Sequence, residues 1–376
     1  MAKQPDKKEW ARLLELLGSP LCRNRLRGIP EVVLYGAGIR GREACQQLLA
    51  KGIRVRCFLD RKAVAIGRIG NIPCLRVTSR PARMLAQQGI PAVLAVFNYQ
   101  TNLEPLIRKL RAVGFQTICT YGELHEILSI PSVFWMGSRK NVQKNKKRIL
   151  QAFHLLNDKK SRTVFCDHIG LRLRFESGSL ARPSRGDQYA PSDLSFPNPR
   201  RFVDGGAFDG DTTRFFLRKK SALEAVAAFE PDLLNFRKLT RSLAFQKRNI
   251  QEIVLIPAGL GEKTASVRFL SGFGAGSRFI QGEGLQAPIV ALDDVLPNFL
   301  PTLIKLDIEG FEPAALRGAK KLISSTRPDL AICVYHQPEH FWEIPLFLKT
   351  MVPQYRFWMR CHGYNGFDSV LYASIR

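Results

Sequence analysis

The chain lacks paired cysteines at metal-ligand or redox spacing. Its eight cysteines are scattered over 376 residues without a C-x-x-C pair, which argues against a disulfide frame or a structural zinc site and fits reduced thiols. No apolar run approaches the ~20 residues of a membrane span. The opening Met1-Ala2-Lys3-Gln4-Pro5-Asp6 has none of the apolar core of a secretion signal, so a cytoplasmic protein is expected. Acidic residues are scarce, 32 against 57 Lys and Arg, for a net charge of +25. The excess is uneven: residues 1–150 carry 27 basic and 9 acidic residues (27 − 9 = +18), leaving 30 − 23 = +7 for residues 151–376. A basic first part points to an anionic partner such as nucleic acid, lipid phosphate or a nucleotide-linked sugar, or to a solvated basic surface with no specific ligand.

What is present is organised around residues 202–212. The apolar run Arg201-Phe202-Val203 meets Asp204-Gly205-Gly206-Ala207-Phe208-Asp209-Gly210-Asp211-Thr212, and then a helical rhythm through Phe215, Phe216 and Leu217. Strand, tight turn and helix open a mononucleotide-binding βαβ unit. Three aspartates border the turn and no Lys or Arg lies between Arg201 and Arg214. Such a turn repels a diphosphate and suits a cationic nucleoside derivative, of which S-adenosylmethionine is the expected one. The next strand, Ala225–Phe229, ends in Glu230-Pro231, where doubly wound folds place the acid that holds ribose hydroxyls.

A second fingerprint precedes it. Glu31–Tyr35 reads as a strand leading into Gly36-Ala37-Gly38-Ile39-Arg40-Gly41, and a further strand ends at Asp60, nineteen residues beyond Gly41. Strand, G-x-G-x-x-G, helix and distal acid make Gly36, Gly38, Gly41 and Asp60 a candidate second nucleotide site. A purely structural Rossmann-like domain reads the same way. An amphipathic helix over residues 7–18, with Trp10, Leu13, Leu14 and Leu17 on one face, is expected to dock on this domain. The basic run 139–148 reads as a solvated helix face. The expected division is a Rossmann-like domain over 1–150, a linker and lid segment over 151–200 ending in Gln188-Tyr189, and a catalytic domain over 201–376.

Within the last part, Leu303–Leu306 runs into Asp307-Ile308-Glu309-Gly310, and Leu330–Tyr335 into His336, each a strand with polar residues at its C-terminal end. Ligands bind there in open α/β sheets. Residues 355–360 and 369–373 read as an antiparallel pair closing the sheet, and the Gly-rich loop 271–284, with Ser277 and Arg278, as a lid.

In this order the motifs resemble the FkbM family of S-adenosylmethionine-dependent methyltransferases. The resemblance rests on Gln188-Tyr189, residues 202–212, Phe229-Glu230-Pro231, Leu292–Leu296, Ile304–Glu312, Gly318, Tyr335–Glu339 and Leu371-Tyr372-Ala373. It implies a class I methyltransferase fold, an α/β architecture with a mostly parallel seven-stranded sheet and an antiparallel C-terminal strand, behind a first Rossmann-like domain. It also implies O-methylation of a glycan, nucleotide-sugar, glycolipid or related metabolite, as in polysaccharide biosynthesis. His336 is the first candidate for general base, with Asp307 and Glu309 as alternatives or as a carboxylate pair for Mg²⁺. An RNA (ribose) methyltransferase, motivated by charge, and a non-catalytic nucleotide-sugar-binding protein are the rival readings. Oligomeric state is not readable from the chain.

Overall fold

The computed structural model of the protein describes residues 5–21, 24–128, 137, 139–174, 183–184, 186–194, 199–219, 223–244, 250–270, 278–279 and 285–376. Residues 271–277 and 280–284 of the expected lid lie outside them.

Among the described residues, the first sheet has six strands: β1 (Glu31–Tyr35), β2 (Arg54–Leu59), β3 (Arg68–Ile69), β4 (Ile72–Leu75), β5 (Ala92–Leu94) and β6 (Ile118–Cys119). They lie in the order β3-β4-β2-β1-β5-β6, all parallel except β3. Val33, Leu34, Cys57 and Phe58 are wholly buried, as continuous apolar strands covered on both faces must be.

The second sheet has seven: β7 (Arg201–Gly205), β8 (Ala225–Phe229), β9 (Glu252–Ile256) and, after the small sheet of β10 (Gly259–Leu260), β11 (Ala265–Leu270), β12 (Arg278–Phe279) and β13 (Leu285–Val290), β14 (Leu303–Leu306), β15 (Asp329–Cys333), β16 (Arg356–Cys361) and β17 (Ser369–Ser374). The order is β16-β17-β15-β14-β7-β8-β9. Only β17 runs against its neighbours, so the expected mostly parallel sheet with an antiparallel C-terminal strand is what forms. The order reverses between β7 and β14, opening a crevice at their C-terminal ends.

Alternate residues of these strands feed two cores. Phe202, Val226 and Ala331 face Phe216, Leu239 and Tyr189 on one side. Val203, Ala227, Ile304 and Ile332 face Phe153, Phe165 and Phe341 on the other. Each fully buried Phe contributes roughly 2 kcal/mol relative to exposure.

Three elements depart from the sequence reading. The helix Lys7–Gly18, started by a capping box between Asp6 and Glu9, does not dock on the first domain. Leu13, Leu16 and Leu17 join the core of the second sheet, Leu14 is exposed, and Glu9 and Arg12 pair with Arg162 and Asp167. Those partners belong to the helix Lys159–Arg174, which stands where a linker was expected. Its polar side chains hid it, since Arg162, Asp167, His168 and Arg172 are buried with it. In the basic run, Arg139 is buried against Glu126 while Lys140, Lys144 and Lys147 face solvent. The two domains meet through Leu171 and Phe367, which pack on the first domain's core.

Candidate active site

A cavity of about 530 Å³ opens at the C-terminal ends of β7, β8, β14 and β15. Its floor is the 204–212 turn. Gly206 has φ +72°, and a Cβ there would lie 2.0 Å from the Asp307 carbonyl oxygen, so only glycine lets the β7 and β14 turns touch. Non-glycine residues in the left-handed region cluster here: Phe208 (φ 50°), Glu309 (φ 53°) and Asp368 (φ 52°) all line the cavity. Such strain persists where the surrounding fold imposes it, commonly at functional sites.

Of the expected cofactor residues, Gly206, Asp211, Thr212, Glu230, Pro231 and Asp307 line the cavity. The others hold the turn from behind. Gly205 is wedged against Leu306 and Leu260, and Gly210 takes φ +86° against Leu239. Ala207 is buried, its N–H given to the Phe229 carbonyl. The Asp209 carboxylate bonds Arg214 at 2.9 Å.

Asp204 corrects the charge argument. It is fully buried, with Lys305 Nζ 3.0 Å from its carboxylate. Lys305, from the middle of β14, also donates to the carbonyls of Gly205 (3.1 Å) and Gly206 (2.6 Å). Burial pulls Lys305 down, but Asp204 and Asp307 more than reverse it, so the ammonium persists. The turn is therefore not an uncompensated acidic wall. A lone lysine inside Leu303-Ile304-Lys305-Leu306 was the sequence signal for it.

Glu230 sits at the end of β8. Its two oxygens accept the backbone N–H groups of Phe208 and Asp232, both at 2.9 Å, and burial pushes the carboxyl up to about 7 in spite of them. Asp60 is built the same way in the first domain, accepting from Ala37 N (2.9 Å) and Lys62 N (2.8 Å). There Gly36 has φ +111° and a Cβ on Gly41 would lie 1.9 Å from the Gly36 carbonyl oxygen, while Gly38 stands at the helix N-cap without a side-chain bond.

The far side of the cavity holds Asp307, Glu309, Tyr335 and Asp368. Tyr189 folds over it and donates to Asp307 at 2.8 Å. His336 does not reach the cavity as a base. It is 2 % exposed, and its Nδ1 lies 2.7 Å from the wholly buried Glu312. Burial opposes its charge, but Glu312 and Glu309 raise it to about 10. An imidazolium has no lone pair to receive a proton. Its Nε2 faces Asp307 and Glu309 at 3.4 and 3.7 Å. The cation set against those carboxylates is thus His336, and among the described residues no group of three or more His, Cys, Asp or Glu is placed to hold a metal ion. The structure gives Mg²⁺ at Asp307 and Glu309 no support.

The group that sequence reasoning missed is Asp368, in the loop before β17. Burial and Asp307 push its carboxyl up to about 6, while His336 and a hydrogen bond from Tyr335 restrain it. Nothing in Gly366-Phe367-Asp368 marks it in the sequence. Among the described residues no helix is long and apolar enough to cross a membrane.

Comparison with known proteins agrees with this architecture. No curated protein is similar enough to count as a match. The chain is similar to a solved structure described as methyltransferase FkbM from Methylobacillus flagellatus KT, at 20% identity and a TM-score of 0.78, over 97% of this chain and 98% of that one. The likeness in fold therefore includes the first domain. Residues 204–365 match the family described as the methyltransferase FkbM domain, spanning the 204–212 turn, Glu230, Lys305 and Asp307. The stretch that matches the methyltransferase FkbM domain, residues 204–365, lies on the second of the two Rossmann-like sheets.

Proposed function

We propose that the protein is an S-adenosylmethionine-dependent O-methyltransferase acting on a hydroxyl of a glycan, nucleotide-sugar, glycolipid or related metabolite. The observation that carries the reading is the division of one cavity into two ends. Glu230, Pro231 and Asn235 stand by β8, and Tyr335 and Asp368 stand by β15 and β17. Three strand intervals of ~4.8 Å separate β8 from β15 and four separate it from β17, on the order of 14–19 Å.

The residues at the β8 end fit the donor. Glu230 has lone pairs left after its two backbone bonds for a pair of ribose hydroxyls, and Gly206 keeps the floor clear of side chains. Asp211 adds a carboxylate suited to a cationic ligand. When bound, S-adenosylmethionine supplies a methyl group on a positively charged sulfur, the electrophile for a displacement. The chain's own work is at the other end. Asp368, whose carboxyl stands at about 6 and is therefore mostly ionised at neutral pH, receives the acceptor hydroxyl proton on a carboxylate oxygen. Tyr335 orients Asp368, and Tyr189 orients Asp307 so that its other oxygen can hold a neighbouring hydroxyl. His336, protonated beneath them, keeps the two carboxylates from repelling each other.

Charge supports a neutral hydroxyl-bearing ring in the cavity over an RNA phosphate backbone. The described lining includes Asp211, Glu230, Asp307, Glu309 and Asp368 against one cation, Lys305, which is spent on Asp204 and two carbonyls. The test is incubation of the full chain with methyl-labelled donor and, separately, neutral glycans, nucleotide-sugars and RNA. Label in the glycan or nucleotide-sugar fraction is expected. Label in RNA alone, or no binding of S-adenosylhomocysteine by calorimetry, removes the proposal.

A further inference from the structure

The first domain reaches the second domain's cavity. The loop 98–102 follows β5 and is braced internally, Asn98 Oδ1 accepting from Gln100 N (3.0 Å) and Thr101 N (2.9 Å). It is also fastened across the domain boundary. Asn365, buried at 4 % exposure, donates from Nδ2 to the carbonyls of Asn98 (2.7 Å) and Thr101 (3.0 Å). The Tyr364 N–H donates to the Tyr99 carbonyl at 2.7 Å. Gly363 makes room: a Cβ there would lie 3.0 Å from Tyr99 Cβ.

The loop so held delivers Tyr99 to the cavity wall with half its surface open, at 52 %. Behind it, rings run continuously from one domain to the other. Phe97 lies 5.5 Å from Phe367, and Phe367 lies 6.1 Å from Tyr335. Tyr99, Phe367 and Tyr335 all line the cavity, at the end that holds Asp368.

A half-exposed aromatic ring on a loop fastened by these hydrogen bonds, beside carboxylates that accept hydroxyl protons, is the arrangement that seats a polyhydroxyl ring: C–H groups over the aromatic face, hydroxyls toward the acids. Fixing the loop before binding removes the ordering cost that a mobile tyrosine carries. We propose that Tyr99 is an acceptor-binding residue and that the first domain, through loop 98–102, forms one wall of the acceptor site. The site is then incomplete without the first domain, which accounts for two domains packed as one body where a donor site needs only the second. The inference rests on the acceptor being a hydroxyl-bearing ring, and is read separately from donor binding.

The experiment uses the full chain saturated with S-adenosylhomocysteine, and titrates methyl α-D-glucopyranoside, methyl α-D-mannopyranoside and methyl α-L-rhamnopyranoside by saturation-transfer NMR, with sorbitol as the acyclic control. At least one glycoside is expected to bind above the sorbitol level, and Tyr99→Ala and Tyr99→Leu to weaken it roughly tenfold. Tyr99→Phe should retain it, and S-adenosylhomocysteine affinity should not move in any variant. Leu keeps apolar bulk without a ring, so it separates stacking from filling, and the position's exposure keeps the variants folded. Equal glycoside binding in wild type and Tyr99→Ala overturns the assignment of Tyr99. Glycosides no better than sorbitol overturn the ring platform itself. Loss of S-adenosylhomocysteine binding in the wild type sinks the methyltransferase reading instead.

Discussion

Lys305 holds its ammonium 3.0 Å from the carboxylate of Asp204, both of them buried beneath the turn that floors the cavity. The pair welds β14 to β7 at the reversal of strand order, and its remaining protons satisfy the Gly205 and Gly206 carbonyls. Removing one member leaves the other charged in a low-dielectric interior, at a cost of about 3–5 kcal/mol. Lys305→Met should therefore lower urea-unfolding stability by about that much. Adding Asp204→Asn should recover part of the loss, giving a double-mutant coupling of about 1 kcal/mol or more. Strict additivity would mean that the pair does not act as a unit.

The same pair marks what could be read from the chain. Strand ends, glycine turns and Glu230 follow from local pattern, because period, apolar runs and φ requirements are properties of short segments. The pairing of Asp204 with Lys305, about a hundred residues apart, follows only once β7 and β14 are neighbours. His336 shows the opposite hazard. Its place at a strand end was legible, but the buried Glu312 that holds it protonated comes from the following helix-start of another strand. The helix Lys159–Arg174 escaped because its buried arginines and histidine erase the apolar rhythm, and Asp368 because a carboxylate in a loop carries no pattern.

The His336–Glu312 pair sets a pH window. Glu312 is held down to about 2 against an ordinary 4.5: burial resists its ionisation, but His336 outweighs burial. Its stabilisation is present above pH ~4.5 and is lost as pH falls through 2. His336 is raised from 6.5 to about 10, so its share is complete below pH ~6.5 and is lost as pH climbs through 10. The urea midpoint should peak between these limits and decline on the alkaline side. His336→Gln should be less stable by about 3 kcal/mol at pH 6, and its alkaline decline should be shallower. A wild-type midpoint flat from pH 6 to 10 contradicts the assignment.

On the proposed reading, Glu230 sets how donor affinity varies with pH. Burial raises its carboxyl to about 7 against the help of two backbone N–H groups. Ribose hydroxyls donate better to the ionised form, so S-adenosylhomocysteine binding should weaken as pH falls below about 7, approaching tenfold per unit, and level off above it. Glu230→Gln should bind about 10- to 100-fold more weakly, as expected for losing hydrogen bonds to a charged acceptor, and with little pH dependence between 5.5 and 8. Calorimetry across that range decides it.

Asp368 gives the sharpest kinetic test. Its carboxyl lines the cavity beside Tyr335 and stands at about 6, raised by burial and Asp307 and restrained by His336 and Tyr335. As the proposed base for the acceptor hydroxyl it must be ionised, so kcat/KM should rise with pH through an acid limb near 6 and then hold level. Asp368→Asn keeps size and polarity but cannot take the proton; kcat should fall about 10²- to 10⁴-fold, with S-adenosylhomocysteine affinity unchanged and the acid limb gone. Tyr335→Phe tests the assignment from outside the carboxylate. Without the hydroxyl that stabilises the charged form, the midpoint should move upward, so the acid limb shifts to higher pH while the plateau rate stays within a few-fold of wild type. A limb that stays at 6 in Tyr335→Phe, or that survives in Asp368→Asn, assigns the proton to another group, and Asp307 and Glu309 are then the carboxylates to replace at that end of the cavity.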